Sequence, residues 1–292
     1  MHVLVNGVRL FFDVEGPKFV ADGPLMREKP TLLLLHGGPG ADHSTFRPAY
    51  SPLAGIAQIV YLDHRGNGRS EDGPRESWNL AQWGDDVAAF CNAVGIADPI
   101  VLGVSFGGMV ALAYATRHPA HPAGLVLIST AASGAEHLER RVALFERFGG
   151  PEAGALARRR FLEARGHDAD SLDAWRRLAL PHYTRTPRDP AWGRRQVSRP
   201  EVLHWFTRPG GESQTFDLRP DLRRIRCPTL IMGGEDDPIH PIESQADIAA
   251  ALPPHLVRFE RFADCRHAVV PDAPDRAIAV IGEFIGANSG AR

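Results

Sequence analysis

Ser105 stands in the stretch Gly103-Val104-Ser105-Phe106-Gly107, with a glycine two residues away on either side. A β-branched apolar run precedes it at 99–104, and the helix-forming segment GMVALAYA follows it. G-x-S-x-G at a strand-to-helix junction makes a turn so sharp that side chains at the flanking glycine positions would collide. Such a turn lifts one hydroxyl to the carboxyl edge of a sheet, beside a helix N-terminus that favours developing negative charge. The chemistry that this placement suits is nucleophilic attack on a carbonyl carbon.

A serine alone is a weak nucleophile and needs a base, which in turn needs an orienting group. Of the 13 histidines, His267 lies in FADCRHAVV, after the last expected strand and before the last expected helix. A loop there also opens at the carboxyl edge. The acid is expected on another such loop. MGGEDDPIHP, after an apolar run at 228–234, offers Glu235, Asp236 and Asp237. Asp237 is taken as the acid, with Asp236 as the alternative. The loop AASGAEH after Thr130 offers no early carboxylate. The chain order Ser…Asp…His is that of the α/β-hydrolases.

An oxyanion also needs donors. HGGPG follows the buried-looking run TLLLLH, and its Gly37, Gly38 and Gly40 let backbone N–H groups approach a ligand unobstructed. Gly38 is favoured over Gly37 as one donor, with the N–H of Phe106, the residue after the nucleophile, as the other. Neither G-x-G-x-x-G nor the lysine of a P-loop accompanies these glycines, so no cofactor is expected. No metal is expected either. The three cysteines, Cys91, Cys227 and Cys265, are widely spaced, and the proline between His118 and His121 opposes their presentation on one helix face.

The elements that must position these groups alternate. Asn6-Gly7 between alternating apolar and polar residues signals a hairpin, and a Pro/Gly-rich stretch follows it. Strands are expected at 31–36, 58–63, 99–104, 124–130, 228–234 and 256–262. Helices are expected at 79–95, 107–118, 241–252 and 274–286. Leu80, Trp83, Val87, Phe90 and Val94 recur at three- and four-residue spacing in the first of these helices. Between 131 and 220 no comparable strand occurs. Amphipathic helical segments such as HLERRVALFERFGG fill that interval. The expected architecture is α/β: a mostly parallel, doubly wound sheet formed by 1–130 and 221–292, with a helical cap inserted at 131–220.

The chain has 292 residues, enough for one such domain and its insertion, and a formal net charge of −2. That balance gives no electrostatic case for nucleic acid or an acidic membrane as partner. No run approaches the length of a membrane-spanning helix, and the first residues lack a secretory pattern, so the cytoplasm is the expected location.

HGGPG, DHRGNGRS (63–70), GVSFGG, GGEDDPIHP and the late histidine together resemble the α/β-hydrolase superfamily, most closely its prolyl aminopeptidase (proline iminopeptidase) branch. The resemblance spans nearly all of 28–287. It implies Ser105 as nucleophile, Asp237 as acid, His267 as base, and Gly38 and Phe106 as backbone oxyanion donors. It gives Asp63 and Arg65 a structural role. Members of that branch hold the substrate's free amine with cap and loop carboxylates, one of them directly after the triad Asp in one version. Here that position is Pro238. Glu201 and Glu212, in RPEVLHWFTRPGGE, are the candidate cap counterparts. Gly37, Trp205 and Phe206 are further candidate substrate contacts. Phe145, Phe148, Phe161, Trp175, Tyr183 and Trp192 complete the cap aromatics from which an apolar pocket could be drawn. A buried ammonium without a carboxylate partner is costly. The expected function is therefore a cofactor-free serine hydrolase of a small ester, lactone or short peptide, with esters or lactones favoured. Release of an N-terminal prolyl or alanyl residue is the alternative, and a non-catalytic ligand receptor the remote one.

Overall fold

Strands β1 (His2–Val5) and β2 (Val8–Glu15) pair antiparallel, with Val5 opposite Val8. The two-residue turn between them needs positive φ at both positions, and Asn6 (46°) and Gly7 (80°) supply it. The computed structural model describes residues 1–166, 168–187 and 192–289, the side chains of Ala169 and Trp192 excepted. The Pro/Gly-rich stretch, for which the sequence suggested no element, forms a second hairpin, β3 (Phe19–Asp22) with β4 (Leu25–Glu28), as a separate two-stranded sheet. Its residues are almost all exposed, so it carries none of the apolar alternation that marks a half-buried strand.

The main sheet continues with β5 (Thr31–Leu35), β6 (Gln58–Leu62), β7 (Ile100–Val104), β8 (Gly124–Ile128), β9 (Thr229–Gly234) and β10 (Val257–Phe262). Its order is β1-β2-β6-β5-β7-β8-β9-β10. Every pairing from β6 to β10 is parallel, and β2 joins β6 antiparallel. The fold is thus the expected α/β one. Because strand side chains alternate between faces, the buried runs divide into two cores. Leu33, Leu35, Val101, Leu125 and Ile231 face one side, where Trp83, Phe90 and Val110 meet them. Leu32, Leu34, Leu102, Val126 and Met232 face the other, against Ile281 and Phe284. At roughly 1.5–3 kcal/mol for each large side chain fully buried, these two layers dominate the favourable side of folding.

The flanking helices are α1 (Leu80–Val94), α2 (Phe106–Arg117), α3 (Leu138–Phe161), α4 (Ala169–Leu178), α5 (Trp192–Arg195), α6 (Pro200–Thr207), α7 (Glu212–Thr215), α8 (Ile242–Ala251), α9 (Val269–Asp272) and α10 (Pro274–Asn288). The Asn79 side chain accepts from the N–H of Gln82 to start α1, and Gly95 at φ 74° ends it. Helix α3 breaks at Gly150 (φ 74°, ψ −175°), where Pro151 opens its second half. Between β8 and β9 the described residues contain helices and no strand. Among the described residues no helix is long and apolar enough to cross a membrane.

Candidate active site

Ser105 connects β7 to α2 at φ 55° and ψ −119°, a conformation that L-residues adopt only under constraint. The constraint is visible. The Ser105 N–H donates to the carbonyl of Ile128 at 2.9 Å, and its own carbonyl accepts from Thr130 Oγ1 at 2.8 Å. The flanking glycines are required by close approach. A Cβ on Gly107 would lie 1.9 Å from the Leu35 carbonyl oxygen, and one on Gly103 would lie 2.3 Å from that of Gly107.

The structure brings His267 and Asp237 together. His267 Nδ1 is 2.9 Å from Asp237 Oδ2. A carboxylate only accepts, so Nδ1 carries the proton and Nε2 is left as the basic nitrogen. The other oxygen of Asp237 accepts from the backbone N–H groups of Ile239 at 2.8 Å and His240 at 3.0 Å. Asp236 points elsewhere, paired with Arg147 and Arg185. The His267 ring is packed edge-on against Tyr183, whose carbonyl accepts from the Ala268 N–H.

Ser105 and His267 line one cavity of about 920 Å³, together with Gly37, Gly38 and Phe106. Phe106 opens α2, where the first N–H groups have no partner inside the helix. Its ring is fixed edge-on against Trp83, Phe206 and His64. The glycine loop is held from below and above. Asn67 Oδ1 accepts from the Gly40 N–H at 2.6 Å, and the Gly40 carbonyl accepts from the Arg199 N–H at 2.8 Å. Asp63 and Arg65 are buried and fully engaged within the protein. Arg65 makes a buried two-pronged pair with Asp86, and Asp63 accepts from the backbone of His43 and of Arg69.

Asp42, His43 and Asp63 cluster closely enough to suggest metal ligands. Their atoms are already engaged. Asp63 Oδ1 binds His43 Nδ1, while Asp42 binds Ser44, Arg69 and the Val197 N–H. The cluster works as a latch between the loop after β5 and the segment before α6.

The expected substrate contacts divide. Gly37 and Phe206 line the cavity, as do Phe161, Trp175 and Tyr183. Glu201, Glu212 and Trp205 do not. Glu201 is half-exposed and pairs with Arg199 at 3.6 Å. Glu212 Oε2 accepts from the Leu80 N–H at 2.9 Å, so it satisfies the start of α1, where a carboxylate is favoured. The Trp205 ring is covered by the Arg208 guanidinium at 3.6 Å. Phe145 belongs to a small core within the helical segment, and Phe148 lies under Arg147 and Arg266. The side chain of Trp192 lies outside the described residues.

Among the cavity residues that were not anticipated are Arg141 and His240. Arg141 had a signal: Leu138, Arg141, Val142 and Phe145 recur at helical spacing, which puts an arginine on the apolar face. His240 stands three residues after Asp237. Burial, with the charges of Arg141 and His267, holds its imidazole well below the usual histidine range.

Glu136, in the loop before α3, is also buried, and neither of its oxygens has a hydrogen-bond partner among the described residues. Burial, aided by Asp247, pushes its carboxyl up to about 7 against the opposing pull of Arg219. A folded-state value above the unfolded one means that stability falls as pH rises between them. The difference in unfolding free energy between the native protein and Glu136→Gln should therefore move against the native protein from pH 5 to pH 8. At 1.36 kcal/mol for each pH unit, the change is at most about 3 kcal/mol. Denaturant unfolding of both proteins at the two pH values measures it, and a constant difference would contradict it.

The alpha/beta hydrolase fold family model matches residues 30–274. The chain belongs to that family. It is 25% identical over 283 residues to a proline iminopeptidase of Lactobacillus crispatus (strain ST1), covering 88% of this chain and 90% of that one. It is 28% identical over 236 residues to a putative carbamate hydrolase RutD of Caulobacter sp. (strain K31), covering 75% and 82%. The crystal structure of proline iminopeptidase from Mycobacterium smegmatis superposes with a TM-score of 0.79 at 23% identity, over 99% of this chain and 98% of that one. The chain is a hydrolase of this fold, and proline iminopeptidases are among the proteins it is similar to.

Proposed function

We propose that the protein is a serine hydrolase of small esters or lactones, with Ser105 as nucleophile, His267 as base and Asp237 as its orienter. The observation that carries this reading is that the strained Ser105 and the Asp237-bound His267 open on one cavity. Ser105 Oγ attacks the carbonyl carbon while His267 Nε2 takes its proton. The N–H groups of Gly38 and Phe106 stabilise the oxyanion. Collapse expels the leaving group, which takes the proton from His267, and water then cleaves the acyl-enzyme by the same route. The helices of 131–220 act as the cap that closes this cavity.

A second reading, removal of an N-terminal residue, has the likeness to proline iminopeptidases in its favour. It needs a carboxylate for the substrate ammonium. Among the described residues lining the cavity there is no Asp or Glu. Activated esters or lactones should therefore exceed proline arylamides in kcat/KM by at least about tenfold more than they do for a proline iminopeptidase assayed beside it, roughly 1.4 kcal/mol. An equal amide-to-ester ratio, with a requirement for a free substrate amine, would establish the peptidase instead.

A further inference from the structure

The cavity is cationic as well as free of described acids. Arg47, Arg141, Arg160, Arg176 and Arg195 line it. Several have evident partners: Arg47 pairs with Asp13, Arg176 with Asp173, and Arg160 lies over the Trp175 ring at 4.6 Å. Arg141 differs. It is only 6% exposed, and its Nε and Nη2 have no hydrogen-bond partner. Its guanidinium lies near the Phe161 ring, 5.4 Å from the centroid. No described carboxylate pairs with it. Asp237 and Glu136 act on it only through space. The oxygens of Asp237 are taken by Ile239, His240 and His267. Burial pushes the guanidinium down to about 10, so it keeps its charge at neutral pH. His240 Nδ1, on the same cavity wall, also lacks a partner.

A buried guanidinium whose donors have no partner in the protein is costly, and an anion is the partner that answers both its charge and its open donors. Its planar fork matches the two oxygens of a carboxylate. We propose that Arg141 receives a carboxylate carried by the substrate, so that the preferred substrates are hemi-esters of dicarboxylic acids or lactones bearing a free carboxylate. This rests on the serine hydrolase reading of the same cavity. Arg141 binds and orients; it takes no part in the proton transfers. With the carboxylate held there, a substrate of suitable length places its ester carbonyl at Ser105.

The test compares monoethyl succinate, glutarate and adipate with ethyl valerate, an uncharged ester of similar length. Alkyl hemi-esters are chosen because activated ones are attacked by their own carboxylate. Charge-assisted hydrogen bonds are each worth about 1.5–3 kcal/mol, or roughly 10- to 150-fold. At least one hemi-ester should exceed ethyl valerate in kcat/KM by a factor in that range. Arg141→Met should remove most of that preference, and Arg141→Lys should restore part of it. Adipate or glutarate should inhibit the native protein competitively, a readout that survives even if the variants fold poorly. An unchanged preference in folded Arg141→Met would overturn the inference. So would a native protein that turns over ethyl valerate and takes a fluorophosphonate at Ser105, yet shows neither preference nor inhibition. That outcome leaves the hydrolase reading standing. Conversely, adipate binding measured by calorimetry and lost in Arg141→Met, without any labelling of Ser105, would refute the hydrolase reading and retain the anion site.

Discussion

Ser105→Ala should lower kcat on a p-nitrophenyl ester by roughly 10⁴–10⁶-fold and leave the fold intact. The loss is large because the hydroxyl is the proposed site of covalent attachment. Ser133, Ser198 and Ser213 also reach the cavity, so the nucleophile needs direct identification. A fluorophosphonate should add to the native protein at Ser105 and fail to add to the variant. The fold should persist because Ser105 contributes only its main-chain atoms to the bonds that hold the strained turn. Ser105 N–H to Ile128 and Thr130 Oγ1 to the Ser105 carbonyl both survive the substitution. Near-native turnover with labelling at another serine would move the nucleophile there and end the mechanism proposed for Ser105.

The strained turn at Ser105 was legible because its constraint is local. A glycine two residues either side of Ser105, between a strand run and a helix run, is the whole signal, and the clash at Gly107 is its physical content. The meeting of Asp237 with His267 was legible because parallel strands place successive loops on one edge, and the loops after β9 and β10 carry these two residues. The sequence left Asp237 and Asp236 open as alternatives. The hydrogen bond to His267 distinguishes them, and that bond depends on how two loops meet.

The cavity wall was far less legible. Glu212 was assigned to substrate on its position in the helical segment, yet it meets the start of α1, a partner 132 residues away in the chain. Arg141 reads as one basic residue among several in an amphipathic helix. The helical spacing puts it on the apolar face, but not against the Phe161 ring or on the wall shared with Ser105 and His267. The β3–β4 hairpin was missed for the opposite reason. It buries little, so its strands lack the apolar pattern through which sheets announce themselves.

Asp237→Asn should lower kcat/KM by about 10³–10⁴-fold, while Asp236→Asn stays near native. The reason lies in the three donors around Asp237. Ile239 N–H and His240 N–H both point at Oδ1, and His267 Nδ1 points at Oδ2. An asparagine keeps one acceptor oxygen and gains an NH₂ group. With the oxygen toward the two backbone donors, which are fixed, the NH₂ faces His267. Nδ1 must then accept, so the imidazole proton moves to Nε2, the nitrogen that has to receive the proton of Ser105. The side chains stay in place and the tautomer is wrong. Asp236 makes only ion pairs with the exposed guanidinium groups of Arg147 and Arg185, which are worth at most about 1 kcal/mol. The ring proton in the histidine region of the NMR spectrum should report the change, moving from Nδ1 in the native protein to Nε2 in Asp237→Asn. Full activity in Asp237→Asn, with loss in Asp236→Asn, would transfer the orienting role to the neighbouring acid.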